Sequence, residues 1–434
     1  MKRFWFLFLF LFALSCGAWA FLRTPPVHPT EECSRVFSSD IYSNYAQQLK
    51  AFIYHHPLYS QVKQAPSTSF NSSVQLLLTN LESSLETASE RRAFHERFVS
   101  QLRHLASLML SKKTQAQDKQ AEQLVQDLVR WIYLQADLRA GMHRFLYVFV
   151  PPPTDDIFTF LRAAQKDLRL NPQFSSLQHE SPVEDQFFQG NLPSLMSKPS
   201  TQLIRLGHPC DRPSRFFWWQ SPSVYPEFLL FLQLQPSHLY VNLMKRKGME
   251  GSSSHAIEDL EEQVPHAFVI TLDKNSPFYW QSKPDYPEEW ESHSFKEAFL
   301  KQMLAKKGSF FWSKHLERKA WREDLWQMLD AVHSLYFSNQ ASLNRQERQD
   351  FIELTYLAIL DHLVQKWHPA SMNITCKQGM DRGPSLMVLW LVQKQLLSNQ
   401  EVGALLLAPP LLIHNRTSHA SRIERFISAA KRVY

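Results

Sequence analysis

Cys376 is followed six positions later by Arg382, in the run Cys376-Lys377-Gln378-Gly379-Met380-Asp381-Arg382-Gly383. A cysteine that loses its proton is a strong nucleophile. Arginine is the side chain whose planar fork matches two phosphate oxygens. Placed at the two ends of one loop, the pair suits transfer of a phosphoryl group to sulfur. The loop's flanks agree with this. Met372 and Ile374 alternate as in a short strand, and Pro384 suits the first turn of a helix, where its missing N–H costs nothing. A strand-loop-helix turn directs successive backbone amides into a concavity fit for a phosphate dianion. The helix N-terminus adds partial positive charge there. The same field would lower the Cys376 pKa, and Gly379 would let the backbone turn tightly. Only ten glycines occur in 434 residues, and two of them, Gly379 and Gly383, fall in this run.

The residues Cys376-Lys377-x-Gly379-x-Asp381-Arg382 resemble the loop of bacterial inositol-phosphate phosphatase effectors and inositol polyphosphate phosphatases, C-K-S-G-K-D-R-T. They are similar, at greater distance, to the myotubularin pattern C-S-D-G-W-D-R-T. The likeness is confined to this loop. It implies Cys376 as nucleophile, Arg382 as phosphate clamp and Asp381 as proton donor to the leaving alkoxide. Lys377 would contact an additional substrate phosphate, with Gln378, Gly379, Met380 and Gly383 completing the phosphate-binding loop. Two positions depart from the pattern. Gly383 replaces a Thr or Ser whose hydroxyl hydrogen-bonds the sulfur and helps the phosphocysteine break down. Met380 replaces a second lysine that favours polyphosphorylated inositol.

The elements that must position the loop are legible in outline. Residues 31–143 read as a helical region, with Leu76, Leu77, Leu81 and Leu85, then Leu124, Leu128, Ile132 and Leu134, at three- and four-residue spacing. Long helices over 73–110 and 115–142, packed as a hairpin or bundle, are expected. Residues 144–434 read as an α/β phosphatase-like domain. Strands are expected at 144–150, 202–206, 228–234, 239–244 and 267–272, with a helix over 156–168 and polar loops such as 247–254. From residue 295 the chain is helical again. Asn344-Arg345-Gln346-Glu347 forms a capping box ahead of a helix that is apolar around most of its circumference and ends before Pro369. The fold class expected is therefore α+β: a helical region, then a mixed sheet carrying the strand-loop-helix site.

Aromatic residues make up 13% of the chain, which argues against disorder, and scarce glycine argues against dinucleotide and Walker folds. A net charge of +6 favours phosphates or anionic lipid heads as partners, and no nucleic-acid module is present. Residues 1–22 read as a signal peptide or membrane anchor: Lys2 and Arg3, an apolar run, then Ala18-Trp19-Ala20. Cys16 as a lipidated residue is a third reading. An exported or membrane-associated protein is expected. Cys33 and Cys210 would pair in an oxidising compartment and leave Cys376 unpaired, or all three stay reduced.

Other candidates carry less. Asp285 reads as a turn residue. His208-Pro209-Cys210-Asp211 lacks a second cluster at ligand spacing, so neither metal nor cofactor is called for. His55-His56 reads as surface and Trp218-Trp219 as packing. The tail with Arg416, Arg422 and Arg425 either adds charge near the phosphate pocket or forms a solvated face. Two functions remain open: a cysteine-dependent phosphatase acting on a phosphorylated small molecule or phosphoinositide lipid, and a non-enzymatic exported or membrane-anchored binding protein. In the second the helical region, whose protein partners the sequence does not name, carries the function.

Overall fold

The computed structural model describes residues 47–82, 88–134, 156–170, 201–210, 222–414 and 416–434. The expectations for residues 1–22, the strand at 144–150, Cys33, Asp211 and Trp218-Trp219 lie outside these. No helix among the described residues is long and apolar enough to cross a membrane.

Among the described residues six short strands form: β1 (Gln202–Ile204), β2 (His238–Asn242), β3 (Ala267–Thr271), β4 (Glu289–Glu291), β5 (Ser342–Asn344) and β6 (Ser371–Thr375). Four of them build a sheet in the order β1-β6-β2-β3, and every pairing in it is parallel. The chain thus mixes helix with strand, as an α+β reading requires. The main sheet itself is parallel, whereas a mixed one was expected. Among the described residues the antiparallel strand pairing is confined to the separate β4–β5 ribbon and isolated bridges. The reason lies in the connections: each crossover contains a helix, and a helical crossover returns the chain to the same end of the sheet.

The longer helices are α1 (Ser69–Asn80), α2 (Ala88–Leu110), α3 (Lys119–Leu134), α4 (Ile157–Leu170), α5 (Pro226–Leu234), α6 (Met249–Glu258), α7 (Ser292–Leu304), α8 (Arg318–Phe337), α9 (Arg345–Trp367), α10 (Arg382–Gln393), α11 (Asn399–His414) and α12 (Ala420–Ala430). They cover the sheet on both sides. Leu239, Val241, Met372 and Ile374 pack with α4 and α7–α12 in one apolar cluster. Tyr240, Ile204 and Val269 pack with α1–α3 and α5 in another. The period-two alternation of each strand therefore assigns its side chains to two cores. Steps from β1 to β2 and from β2 to β3 run through α5 and α6 on one face. The return from β3 to β6 runs through α7–α9 on the other, as a constant crossover hand demands. The helical region is one layer of this arrangement: Gln202 Nε2 donates to the Leu134 carbonyl at 2.7 Å, and Arg103 Nε donates to buried Glu227 at 2.8 Å.

Three local expectations are corrected. Residues 228–234 belong to helix α5. Pro226 sits in its first turn, and Phe228, Leu230, Phe231 and Leu232 are all buried; a short run apolar on every side has no period to separate strand from helix. Residues 249–254 were read as loop and open helix α6, stabilised by Ser254 Oγ donating to the Lys245 carbonyl at 2.9 Å. The region 73–110 forms two helices with α1 ending at Asn80.

Candidate active site

β6 delivers Cys376 to the carboxyl edge of the sheet, between the ends of β1 and β2, where open parallel sheets form their ligand crevices. The side of β6 away from Met372 and Ile374 is polar. His238 lies 2.8 Å from Ser371 Oγ and 2.6 Å from Asn373 Oδ1, and Asn373 Nδ2 donates to Thr375 Oγ1 at 2.7 Å. Thr375 Oγ1 donates to the Leu206 carbonyl at 3.2 Å, and the Leu243 amide donates to the Thr375 carbonyl at 2.8 Å. The strand end that carries Cys376 is thus tied to both neighbouring strands.

From Cys376 the chain turns at once: the Gly379 amide donates to the Cys376 carbonyl at 3.2 Å. Gly379 has φ +62°, and a Cβ there would stand 2.6 Å from the Leu206 carbonyl oxygen. Conformation and space both demand glycine. Met380 is buried, while Lys377 is exposed. The Lys377 carbonyl accepts from the His208 amide at 3.3 Å, and the Gly379 carbonyl accepts from the Arg205 guanidinium. The residues just after β1 therefore brace the loop.

Cys376 is buried, which by itself raises its pKa. The nearby charge of Arg382 and the backbone N–H groups of Gly383 and Asp381 outweigh burial and bring the thiol below its ordinary value. The amides at the N-terminus of α10 thus favour the thiolate. Arg382 is held in turn by Glu250. Its Nη2 donates to Oε1 at 2.8 Å and its Nη1 to Oε2 at 3.1 Å, with a further bond to the Leu243 carbonyl at 2.9 Å. Glu250 lies below its usual carboxylate range: burial opposes the shift, and the Arg382 pairing overcomes it. This end-on pairing leaves the Nε edge of Arg382 without a hydrogen-bond partner among the described residues.

Asp381 has a partner of its own. Arg416 donates to both its oxygens, at 3.2 Å to Oδ1 and 2.5 Å to Oδ2, and the His419 amide donates to Oδ1 at 3.3 Å. Burial pushes its pKa up, but the Arg416 pair overrides burial and holds the carboxyl below the ordinary range. Gly383 is packed against the strand end: a Cβ would meet the Ile374 carbonyl oxygen at 2.7 Å. The hydroxyl that the resembling loops carry at this position has no room here.

The structure brings Cys376, Asp381, Arg382 and Gly383 together around one turn, with Lys377, Gln378, Gly379 and Met380 in the loop. Asp285 lies on an exposed turn. His208 is buried with its Nε2 3.1 Å from the Ser253 carbonyl, and burial pushes it down to about 4, so it is neutral at pH 7. Cys210 is buried as well. His55 is exposed, while His56 is half-buried with Nε2 3.4 Å from Asp127. Of the tail, Arg422 and Arg425 are buried and stack on Tyr279 and Trp280, and Arg416 reaches Asp381. Sequence reasoning missed Arg205 and Glu250. Arg205 carried a signal, a lone charge within the apolar run Leu203-Ile204-Arg205-Leu206. Glu250 carried none, because its role depends on α6 folding back over α10. Protein-family models, curated proteins and solved structures offer no match to this chain.

Proposed function

We propose that this protein is a cysteine-dependent phosphatase acting on a phosphomonoester. The observation that supports the reading is the Cys376 environment: the Arg382 charge and the amides of Gly383 and Asp381, at the N-terminus of α10, offset burial of the thiol and favour its thiolate. In the reaction the thiolate attacks phosphorus and the ester P–O bond breaks. The leaving oxygen takes the electron pair and a proton. Water then attacks the phosphocysteine, the P–S bond breaks, and inorganic phosphate and thiolate result. Glu250 fixes the plane of Arg382 so that its Nε edge is turned to the phosphate oxygens. Asp381 can donate a proton only after protonation, which Arg416 opposes, so aryl phosphates, whose leaving groups need little protonation, are the better substrates. A phosphoinositide or inositol phosphate is the natural substrate that the loop resemblance suggests, with a membrane or exported location to match residues 1–22.

One observation favours the non-enzymatic alternative: two of the three charged loop residues, Arg382 and Asp381, are already paired with protein partners. Hydrolysis of 4-nitrophenyl phosphate separates the two readings. Turnover that is lost in Cys376→Ser and reduced at least about a hundredfold in Arg382→Ala supports the phosphatase. Absence of turnover on aryl, inositol and lipid phosphates by folded protein supports the binding protein.

A further inference from the structure

A second site lies on the far side of the β2–α6 connection. A cleft of about 270 Å³ opens between the C-terminus of α7 and the start of α8, room for about nine waters at liquid density. Its floor is apolar and aromatic, with Phe310, Trp312 and Trp321 prominent, and its rim carries Lys306, Lys314 and Arg318. Lysine and arginine dominate the surrounding stretch. Residues 301–322 hold seven of them against one glutamate, a net +6 that equals the net charge of the whole chain. That glutamate, Glu317, caps α8 by accepting from the Lys319 and Ala320 amides at 2.9 and 2.6 Å. Lys306 and Arg318 are exposed and have no carboxylate partner among the described residues. Trp321 is 2% exposed, and its indole N–H has no acceptor among the described residues. A buried donor without an acceptor is uncommon in a finished interior. An oxygen-bearing ligand in the cleft would supply one.

We infer that this cleft and its basic rim dock the protein on an anionic phospholipid surface, a headgroup phosphate lying between Lys306 and Arg318. Charge complementarity supports a lipid occupant: an aromatic floor beneath a ring of cations matches an amphiphile whose anionic group lies at its apolar boundary. Half-buried Phe311 and Trp312 line the same cleft, and aromatic rings of this kind favour the bilayer interface. Arg246 ties the cleft into the fold. It pairs with Glu258 at 2.7 Å and donates to the Gly308 and Phe310 carbonyls at 3.1 Å. This inference is independent of Cys376 chemistry.

The test is sedimentation of the full-length chain with vesicles of phosphatidylcholine alone and of phosphatidylcholine mixed equally with phosphatidylserine. Residues 1–22, if they bind lipid, act on both vesicles, so the informative quantity is the difference between them. Wild type is expected to prefer the serine-containing vesicles. Lys306→Gln/Arg318→Gln should lose about fivefold of that preference per charge at low salt, with the preference fading as salt is added. Cys376→Ser should keep it. Circular dichroism identifies a variant that has unfolded, and Lys306→Gln alone then replaces the pair. Equal binding to both vesicles, or a folded variant with undiminished preference, overturns the inference. So does a rise in unfolding temperature with inorganic phosphate that depends on Lys306 and Arg318 without any vesicle preference, because the site would then serve a free anion.

Discussion

Gly383 shows how one side chain is chosen by its neighbours. The amide of this residue helps lower the Cys376 pKa, and the first turn of α10 lies close against the end of β6. At that approach a Cβ would sit 2.7 Å from the Ile374 carbonyl oxygen, so a hydroxyl cannot be added without pushing the helix off the strand. Gly383→Ser is therefore expected to destabilise the protein by about 1–3 kcal/mol, the usual cost of overpacking, and to lower any phosphatase activity. Thermal unfolding and 4-nitrophenyl phosphate turnover would check this together. A serine variant as stable as wild type and faster in turnover would show that the helix yields. At the same scale, Glu250 and Arg416 are partners that no local pattern announces. Each lies more than thirty residues from the loop side chain it holds, Arg382 or Asp381.

At the scale of elements, α9 is where sequence and structure agree most closely. Asn344 Oδ1 accepts from the Glu347 amide and Glu347 Oε2 accepts from the Asn344 amide, both at 2.9 Å, which is the capping box the sequence predicts. The helix that follows runs Arg345–Trp367 and buries residues on every side, since it lies between α8, α10 and α12. Asn344→Ala should remove one donor's partner at the N-terminus and lower stability by about 1 kcal/mol, measured by urea unfolding. An unchanged midpoint would show that the β4–β5 ribbon, which ends on Asn344, sets the helix start without the cap. Element type was readable here because a cap, a long apolar pattern and a proline stop agree. At 228–234 those signals were missing, and burial by α2 and the sheet decided for helix.

For the whole molecule, buried charge links elements distant in sequence. Glu353 on α9 accepts from Lys274 Nζ at 2.7 Å, just beyond β3, from Arg425 Nε at 3.1 Å on α12, and from the Tyr279 hydroxyl. Burial raises the Glu353 pKa, but Lys274 and Arg425 together reverse this and lower it to about 2. For Lys274 the balance runs the other way: burial, with Arg422 and Arg425 beside it, brings it to about 8 in spite of Glu353. The Glu353 shift is the one that governs acid behaviour. Its folded value is below the unfolded one, so its contribution is present above pH 4.5 and is lost as pH falls from there toward 2. Glu353→Gln should cost about 3–5 kcal/mol at neutral pH by leaving two buried cations uncompensated, and should flatten the loss of stability across that acid range. Unfolding midpoints at several pH values read both effects; parallel acid curves for the two proteins would exclude Glu353 as the group responsible.

What the sequence determined by itself was local: the turn between Cys376 and Gly383, the capped helix α9 that precedes it, and the four short strands of the main sheet. These depend on near neighbours, on turn chemistry and on alternation, all of which are written in consecutive residues. Tertiary structure decided the rest. Parallel pairing follows from where helical crossovers return the chain. The ionisation of Asp381 and the orientation of Arg382 follow from Arg416 and Glu250, and those contacts exist only once α6 and the segment before α12 have packed against α10. Charge is felt through space, so a residue far along the chain sets the state of a group in the loop, and no spacing rule along the sequence carries that information.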